Sequence, residues 1–291
     1  MFELAEAGAV GFSDDGAPIL SAEIMRRVLE YASMRGIPVI QHAEDTSMTH
    51  GCSMNEGPVA TSLGIQSMPA VAEDLIVARD IALVEYVDAP YHVAHLSTTG
   101  AVALVRAAKK RRLPVTCEVT PHHFTLTDEA VRSFDTNVKM NPPLRRMEDI
   151  EAIKTGLKDG TIDAIASDHA PHSYDEKQVE FPFAPFGIVG LETSVGISFT
   201  QLVHGGVLSV QQLIEKMSVN PRRILRLPAI RIAEGEKANL TLLDPDIEWI
   251  VSTDSFLSKS KNSPFDKMKL KGRAIGVINN NSAYFINSNA A

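Results

Sequence analysis

Along most of this chain, apolar runs of strand length alternate with segments of helical period. That alternation leaves few folds open: a parallel sheet with helices laid against it. Residues 9–12 form a short apolar run, followed by the turn-like Asp14-Asp15-Gly16. A helix is expected from about Ser21, a natural N-cap, with Ile24, Val28 and Ala32 on its inner face and Gly36 closing it. Residues 37–41 read as the next strand. A helix starting near Pro69 follows, with Val71, Leu75, Ala78 and Ala82 recurring at spacings of three and four. The rhythm continues with strands over 91–95, 115–119, 137–141 and 162–167, and helices over 101–112, 128–134 and 147–157.

The polar residues fall at one place in this rhythm. Asp15, His42, His95, Asn141 and Asp168 each stand at or just past the C-terminal end of an expected strand. In a (β/α)₈ barrel those ends converge on one face, where active sites are built. Such a set has the chemistry of a hydrolytic zinc centre, with imidazole and carboxylate ligands and an open position for water. Asp15 suits a bridging role, His42 and His95 suit one ion, and Asp168 suits the other while carrying a proton. Asp168 opens Asp-His-Ala-Pro-His, which puts His172 on the loop above the same face.

Each residue also has a plainer reading. A histidine after a strand more often serves as a structural hydrogen-bonding group, and Asp14-Asp15-Gly16 alone is an ordinary turn. On a strand His92 and His95 point to opposite faces, so only His95 is taken as a ligand. His122 and His123 read as structural or supporting, and His169 as pointing away from Asp168, because adjacent side chains diverge. His50 and His204 belong to no motif, and the basic residues 109–112 make a solvated helix end. The shared position of the five carries the argument, not any one of them.

Past Asp168 the pattern changes. Helices are expected over 190–202 and 210–219, then short strands over 240–243, 249–251, 275–278 and 283–286, separated by Asp244-Pro245 and Asn279-Asn280-Asn281. Residues 1–233 are therefore assigned to a partial barrel and 234–291 to a small β-sandwich portion. With 44% hydrophobic residues, 291 residues suffice for a substantial core. The 28 basic and 36 acidic residues give −8, with no footprint for nucleic acid. No apolar run is long enough to span a membrane, and Glu3 and Glu6 stand where a signal peptide needs basic residues. Cys52 and Cys117 lie far apart in no metal or disulfide pattern, which fits a reducing cytoplasm.

Several segments resemble the class I dihydroorotases, zinc-dependent cyclic amidohydrolases of pyrimidine biosynthesis. They are Phe12-Ser13-Asp14-Asp15-Gly16, Gln41-His42-Ala43-Glu44-Asp45, Tyr91-His92-Val93-Ala94-His95-Leu96-Ser97-Thr98 and Glu118-Val119-Thr120-Pro121-His122-His123. Lys139-Met140-Asn141-Pro142-Pro143-Leu144-Arg145, Ser167-Asp168-His169-Ala170-Pro171-His172, Ala184-Pro185-Phe186-Gly187-Ile188, Gly190-Leu191-Glu192-Thr193 and Lys261-Asn262-Ser263-Pro264-Phe265 continue the series in family order. The resemblance implies an incomplete (β/α)₈ TIM-like barrel of the metal-dependent hydrolase type. It implies two zinc ions per complete site, Asp15 as bridge, His42 and His95 on the second ion, and Asp168 on the first as proton carrier. Asn141, His172 and the Phe186-Gly187 backbone would meet the substrate, with His172 near its carboxylate. The reaction implied is reversible closure of N-carbamoyl-L-aspartate to L-dihydroorotate.

The sequence departs from the family at one point. The family carries a His-x-His pair on its first barrel strand, and no His-x-His occurs in this sequence. The first strand here corresponds to the fourth of the barrel, so an incomplete dihydroorotase is expected. The alternatives are a non-catalytic dihydroorotase-like subunit held by aspartate transcarbamoylase or by another copy of itself, or another cyclic amidohydrolase such as an allantoinase or hydantoinase. Asp15, where those last enzymes carry a carboxylated lysine, speaks against the last option.

Overall fold

The computed structural model describes residues 1–286, so the last five residues of the expected 234–291 portion lie outside it. The main sheet contains five strands: β1 (Phe12–Ser13), β2 (Val39–Gln41), β5 (Tyr91–Val93), β6 (Val115–Val119) and β7 (Ala164–Ile165). They lie in the order β1-β2-β5-β6-β7, and every pairing is parallel. The register runs Phe12 to Val39, Ile40 to His92, Val93 to Cys117 and Val119 to Ile165, which brings the C-terminal ends to one side. Between β2 and β5 the strands β3 (Met54–Asn55) and β4 (Ser67–Met68) make a parallel pair of their own, which the sequence reading did not anticipate.

The covering helices start and stop where the sequence supplies caps. Ser21 accepts the Ile24 amide at the start of the Ala22–Ser33 helix, and Thr98 accepts the Ala101 amide ahead of Thr99–Lys110. Gly160 closes Met147–Asp159 in the left-handed conformation, at φ 84°. The inner faces differ from expectation. The first of these helices buries Met25, Leu29 and Ala32, whereas Ile24 is 56% exposed. Of the expected face, Ala32 is buried and Val28 packs against the core, while Met25 and Leu29, one residue or about 100° further round, take the central places.

The Val71–Val87 helix departs from its expected face for a different reason. It buries Ala72, Ile76, Val77, Ile81 and Val84, and leaves Val71 and Leu75 exposed. Its inner face also carries Glu73 and Asp80, which look like surface residues in a sequence. Glu73 accepts the Ser97 and Thr98 amides at 2.8 and 3.1 Å and pairs with Arg145. Asp80 accepts the Tyr91 hydroxyl at 2.8 Å and pairs with Arg79. Each buried carboxylate is compensated, as burial requires. Apolar side chains such as Leu29, Val77 and Ile153 complete the core at about 1.5–3 kcal/mol each.

Residues 137–141 are not a strand. Asp135 accepts the Asn137 amide and starts a short 3₁₀ turn, Thr136–Val138, and two prolines without amide hydrogens follow Asn141. β6 pairs directly with β7 instead.

After the barrel portion, β8 (Leu240–Ile250), β9 (Lys269–Asn279) and β10 (Ser282–Phe285) form an antiparallel sheet in the order β10-β9-β8. The two expected strands at 240–243 and 249–251 are one long strand. It is interrupted by a bulge at Asp244-Pro245, where proline cannot donate and Asp244 caps the Asp246 and Ile247 amides itself. Trp249 and Leu270 lie against Gly196 on the Ser194–Ser198 helix, which seats this sheet on the barrel portion.

Candidate metal centre

Asp15, His42 and His95 lie just beyond the C-terminal ends of β1, β2 and β5, three neighbours in the sheet. Their donor atoms converge within 4.8 Å of one another. His42 Nδ1 lies 3.1 Å from His95 Nε2, and Asp15 Oδ1 lies 3.2 Å from His95 Nε2 and 3.4 Å from His42 Nδ1. The rings are edge-on at 72°. His95 has φ 32°, a left-handed turn that ends the strand and swings its ring toward His42. The short β strands thus act as mounts: each gives up its ladder where its ligand-type residue begins.

These donors fit a divalent cation. Ligands about 2.0–2.1 Å from a tetrahedral zinc stand about 3.3–3.4 Å from each other, close to the three separations here. Both imidazoles are buried, at 2% and 4% exposure, while the Asp15 side chain opens to solvent. The site therefore has a closed wall and an accessible mouth. His95 Nδ1 is buried without a hydrogen-bond partner among the described residues.

The charges agree with a site built for a cation. Hydrogen bonds from His42 and His95 hold the Asp15 carboxyl far below the usual range. Burial works against a charge on His42, yet its bonds to Asp15 and Glu44 raise it to about 9. A proton on His42 then supplies the positive charge that a metal would otherwise supply, and metal entry must displace it.

Glu44 is the residue that sequence reasoning missed. Its Oε2 sits 2.8 Å from His42 Nε2 and accepts the Asn141 side-chain amide at 2.7 Å, while its Oε1 accepts the Thr49 hydroxyl. Burial raises the Glu44 carboxyl, but the His42, Thr49 and Asn141 bonds outweigh it and bring it to about 2. A signal was present: in extended backbone, side chains two apart share a face, and Glu44 is two residues beyond His42.

The other expected site residues are spread around this trio. Asp168, at φ 43°, is not part of the convergent set, though the charges of His95, Asp15 and His42 act on it, and burial raises its carboxyl. Asn141 reaches the site through Glu44. His172 Nε2 lies 2.7 Å from the Phe186 carbonyl oxygen, and Gly187 packs close by. His92 faces away from the trio, bonding Thr116 and Glu118. His123 is held by Thr120 and the Pro142 carbonyl, and His169 Nδ1 accepts the Gly190 amide.

The sequence profile of the Amidohydrolase family matches residues 2–280. A curated protein named dihydroorotase from Pelobacter propionicus is 54% identical over 278 residues, covering 96% of this chain and 65% of its own length. A dihydroorotase from Geobacter sp. (strain M21) is 55% identical with the same coverage. The chain thus spans a little under two thirds of the length of these relatives. Among solved structures, the L-hydantoinase (dihydropyrimidinase) of Arthrobacter aurescens superposes with TM-score 0.86 at 24% identity, over 97% of this chain and 66% of that one. The dihydropyrimidinase of Brevibacillus agri gives 0.83 at 22%, over 98% and 65%. At that identity the likeness is one of fold.

Proposed function

The chain belongs to the amidohydrolase family, and from that premise we propose that it carries the substrate end and one metal position of a dihydroorotase. The reaction would be the reversible closure of N-carbamoyl-L-aspartate to L-dihydroorotate. One observation carries the reading: the trio of Asp15, His42 and His95 converges within a chain that shares more than half its residues with proteins of that name. The family is generally metal dependent; zinc is our proposal for the metal, given the imidazole–carboxylate donors.

Bound cations would supply Lewis acidity and a water that loses its proton near neutral pH. Asp15 would offer its carboxylate as the bridge, with His42 Nδ1 and His95 Nε2 on one side of it. Asp168 would hold the other ion and carry the proton, taking it from the attacking water and delivering it to the departing ring nitrogen. Burial, which lifts its carboxyl, suits a group that must both accept and release a proton. Asn141, His172 and the Phe186-Gly187 backbone would orient the substrate, with His172 toward its carboxylate. Residues 1–233 would form the barrel portion and 234–291 the smaller β portion. No helix of the described residues is long and apolar enough to cross a membrane; we propose a cytoplasmic setting.

A second reading has one observation in its favour: β1 ends the sheet with one side unpaired among the described residues. It makes the chain a non-catalytic dihydroorotase-like subunit, held by aspartate transcarbamoylase or by another copy of itself. Counting bound zinc in the purified chain and following dihydroorotate hydrolysis separates the two. Turnover that disappears in His42→Ala supports the enzyme. Metal-free, inactive chain that co-purifies with a transcarbamoylase or with itself supports the subunit.

A further inference from the structure

Asn262 lies in the connection between β8 and β9, far in sequence from every residue assigned to the site, and is 4% exposed. Its side-chain amide is fully used. Oδ1 accepts the His172 backbone amide at 3.2 Å, while Nδ2 donates one hydrogen to the Ala170 carbonyl at 2.9 Å and the other to the Gly187 carbonyl at 3.0 Å. Its own carbonyl accepts the Val189 amide at 3.0 Å. One residue therefore ties together the two loops that present His172 and Phe186-Gly187. The surrounding connection is itself anchored: Lys261 Nζ donates to the Phe256 carbonyl, and Phe265 is buried and stacked on His122 at 5.7 Å.

We propose that Asn262 is a positioning residue for the substrate, fixing the distance between the His172 loop and the Phe186-Gly187 loop so that both meet one small anionic ring. The inference rests on the dihydroorotase reading for the identity of that ring, but not for the clasp. Asparagine suits the post because it presents one acceptor and two donors in a plane. Aspartate would keep the acceptor for His172 and turn a second carboxylate oxygen against the two carbonyls. Alanine would leave the His172 amide and the Ala170 and Gly187 carbonyls without partners in a buried place. Both loops meet the non-reacting end of the substrate, so loosening them weakens ground-state and transition-state binding alike. The effect then falls on KM more than on kcat.

The test uses Asn262→Asp and Asn262→Ala in the full chain, with two readouts. Amide hydrogen exchange should quicken across residues 170–172 and 187–189 while the Ala22–Ser33 helix stays as protected as before. KM for dihydroorotate should rise about tenfold, the effect of one lost buried hydrogen bond of about 1.4 kcal/mol, with kcat changed far less. The aspartate variant keeps the shape of the side chain, so it remains informative if the alanine variant does not fold. Unchanged exchange in both loops overturns the clasp. Faster exchange with KM unmoved overturns the positioning role. If the unsubstituted chain neither turns over nor binds dihydroorotate, the dihydroorotase reading fails, and the exchange comparison alone still decides the clasp.

Discussion

Glu44 Oε2 lies 2.8 Å from His42 Nε2, and that contact decides which nitrogen of the ring is left for a cation. A carboxylate only accepts, so Nε2 keeps its hydrogen, and the nitrogen that must give up its proton to offer a cation a lone pair is Nδ1, which faces Asp15 and His95. Carboxylate partners of this kind also raise the basicity of the imidazole they hold.

Glu44→Gln is therefore expected to weaken metal binding by about 10–100-fold, the usual effect of losing such a partner. An amide keeps the size of the side chain, but its nitrogen end can face the ring and present the wrong group. Competition against a chelator of known zinc affinity measures the change. Zinc held as tightly as in the unsubstituted chain would mean that Glu44 plays no part in holding the ring.

Asp168 stands outside the converging trio, so its loss separates proton carriage from metal binding at that trio. Asp168→Ala is expected to lower dihydroorotate turnover by about 10²–10⁴-fold, the range for a positioned proton carrier. The metal held by Asp15, His42 and His95 should remain. The paired measurement is turnover and zinc content on one preparation. Full activity would remove the proton-carrier role, and loss of all zinc would place Asp168 among the ligands of the same ion.

The sequence disclosed the architecture because strand-end geometry is general: parallel strands with covering helices bring their C-terminal ends together whatever else they carry. That rule sufficed to gather Asp15, His42 and His95. It failed where a polar residue did structural work. Glu73 and Asp80 sit on the inner face of the Val71–Val87 helix, compensated by Arg145 from a distant segment and by the neighbouring Arg79, and a hydrophobic pattern cannot display compensation of that kind. The strand expected at 137–141 failed for a local reason, since Asp135 caps a turn there and Pro142-Pro143 deny the ladder its donors. Glu44 is not legible as a site residue from sequence on its own, because its role depends on the His42 ring it holds.

Gly187 has φ 143°, and a Cβ built there would stand 2.7 Å from the Ala170 Cβ and 2.8 Å from His172 Nε2. Only glycine meets both demands, of backbone and of space. Gly187→Ala is expected to displace His172 and to cost about 1–3 kcal/mol of local strain, with KM for dihydroorotate raised. Thermal unfolding and steady-state kinetics check it together. A variant with unchanged KM would show that the His172 contact with this loop does not shape the substrate pocket.

Lys177 offers a pH test remote from the metal ligands. Its ammonium is buried and donates to the Thr136 and Pro185 carbonyls. Burial, and then repulsion from Lys139, bring it from the ordinary 10.5 down to about 8. Below pH 8 it is charged whether the chain is folded or not, and the cost of burying that charge is present in full. Between about pH 8 and 10.5 the folded chain gives up the proton while the unfolded chain keeps it, so the unfolded state binds more protons and stability rises with pH. Lys177→Met removes this dependence. The unfolding free energy of the unsubstituted chain minus that of the variant should therefore climb from pH 8 to pH 10, as read from denaturant midpoints. A difference that stays level, or falls, across that interval would mean the ammonium keeps its proton in the fold, held by the two carbonyls more firmly than burial opposes it.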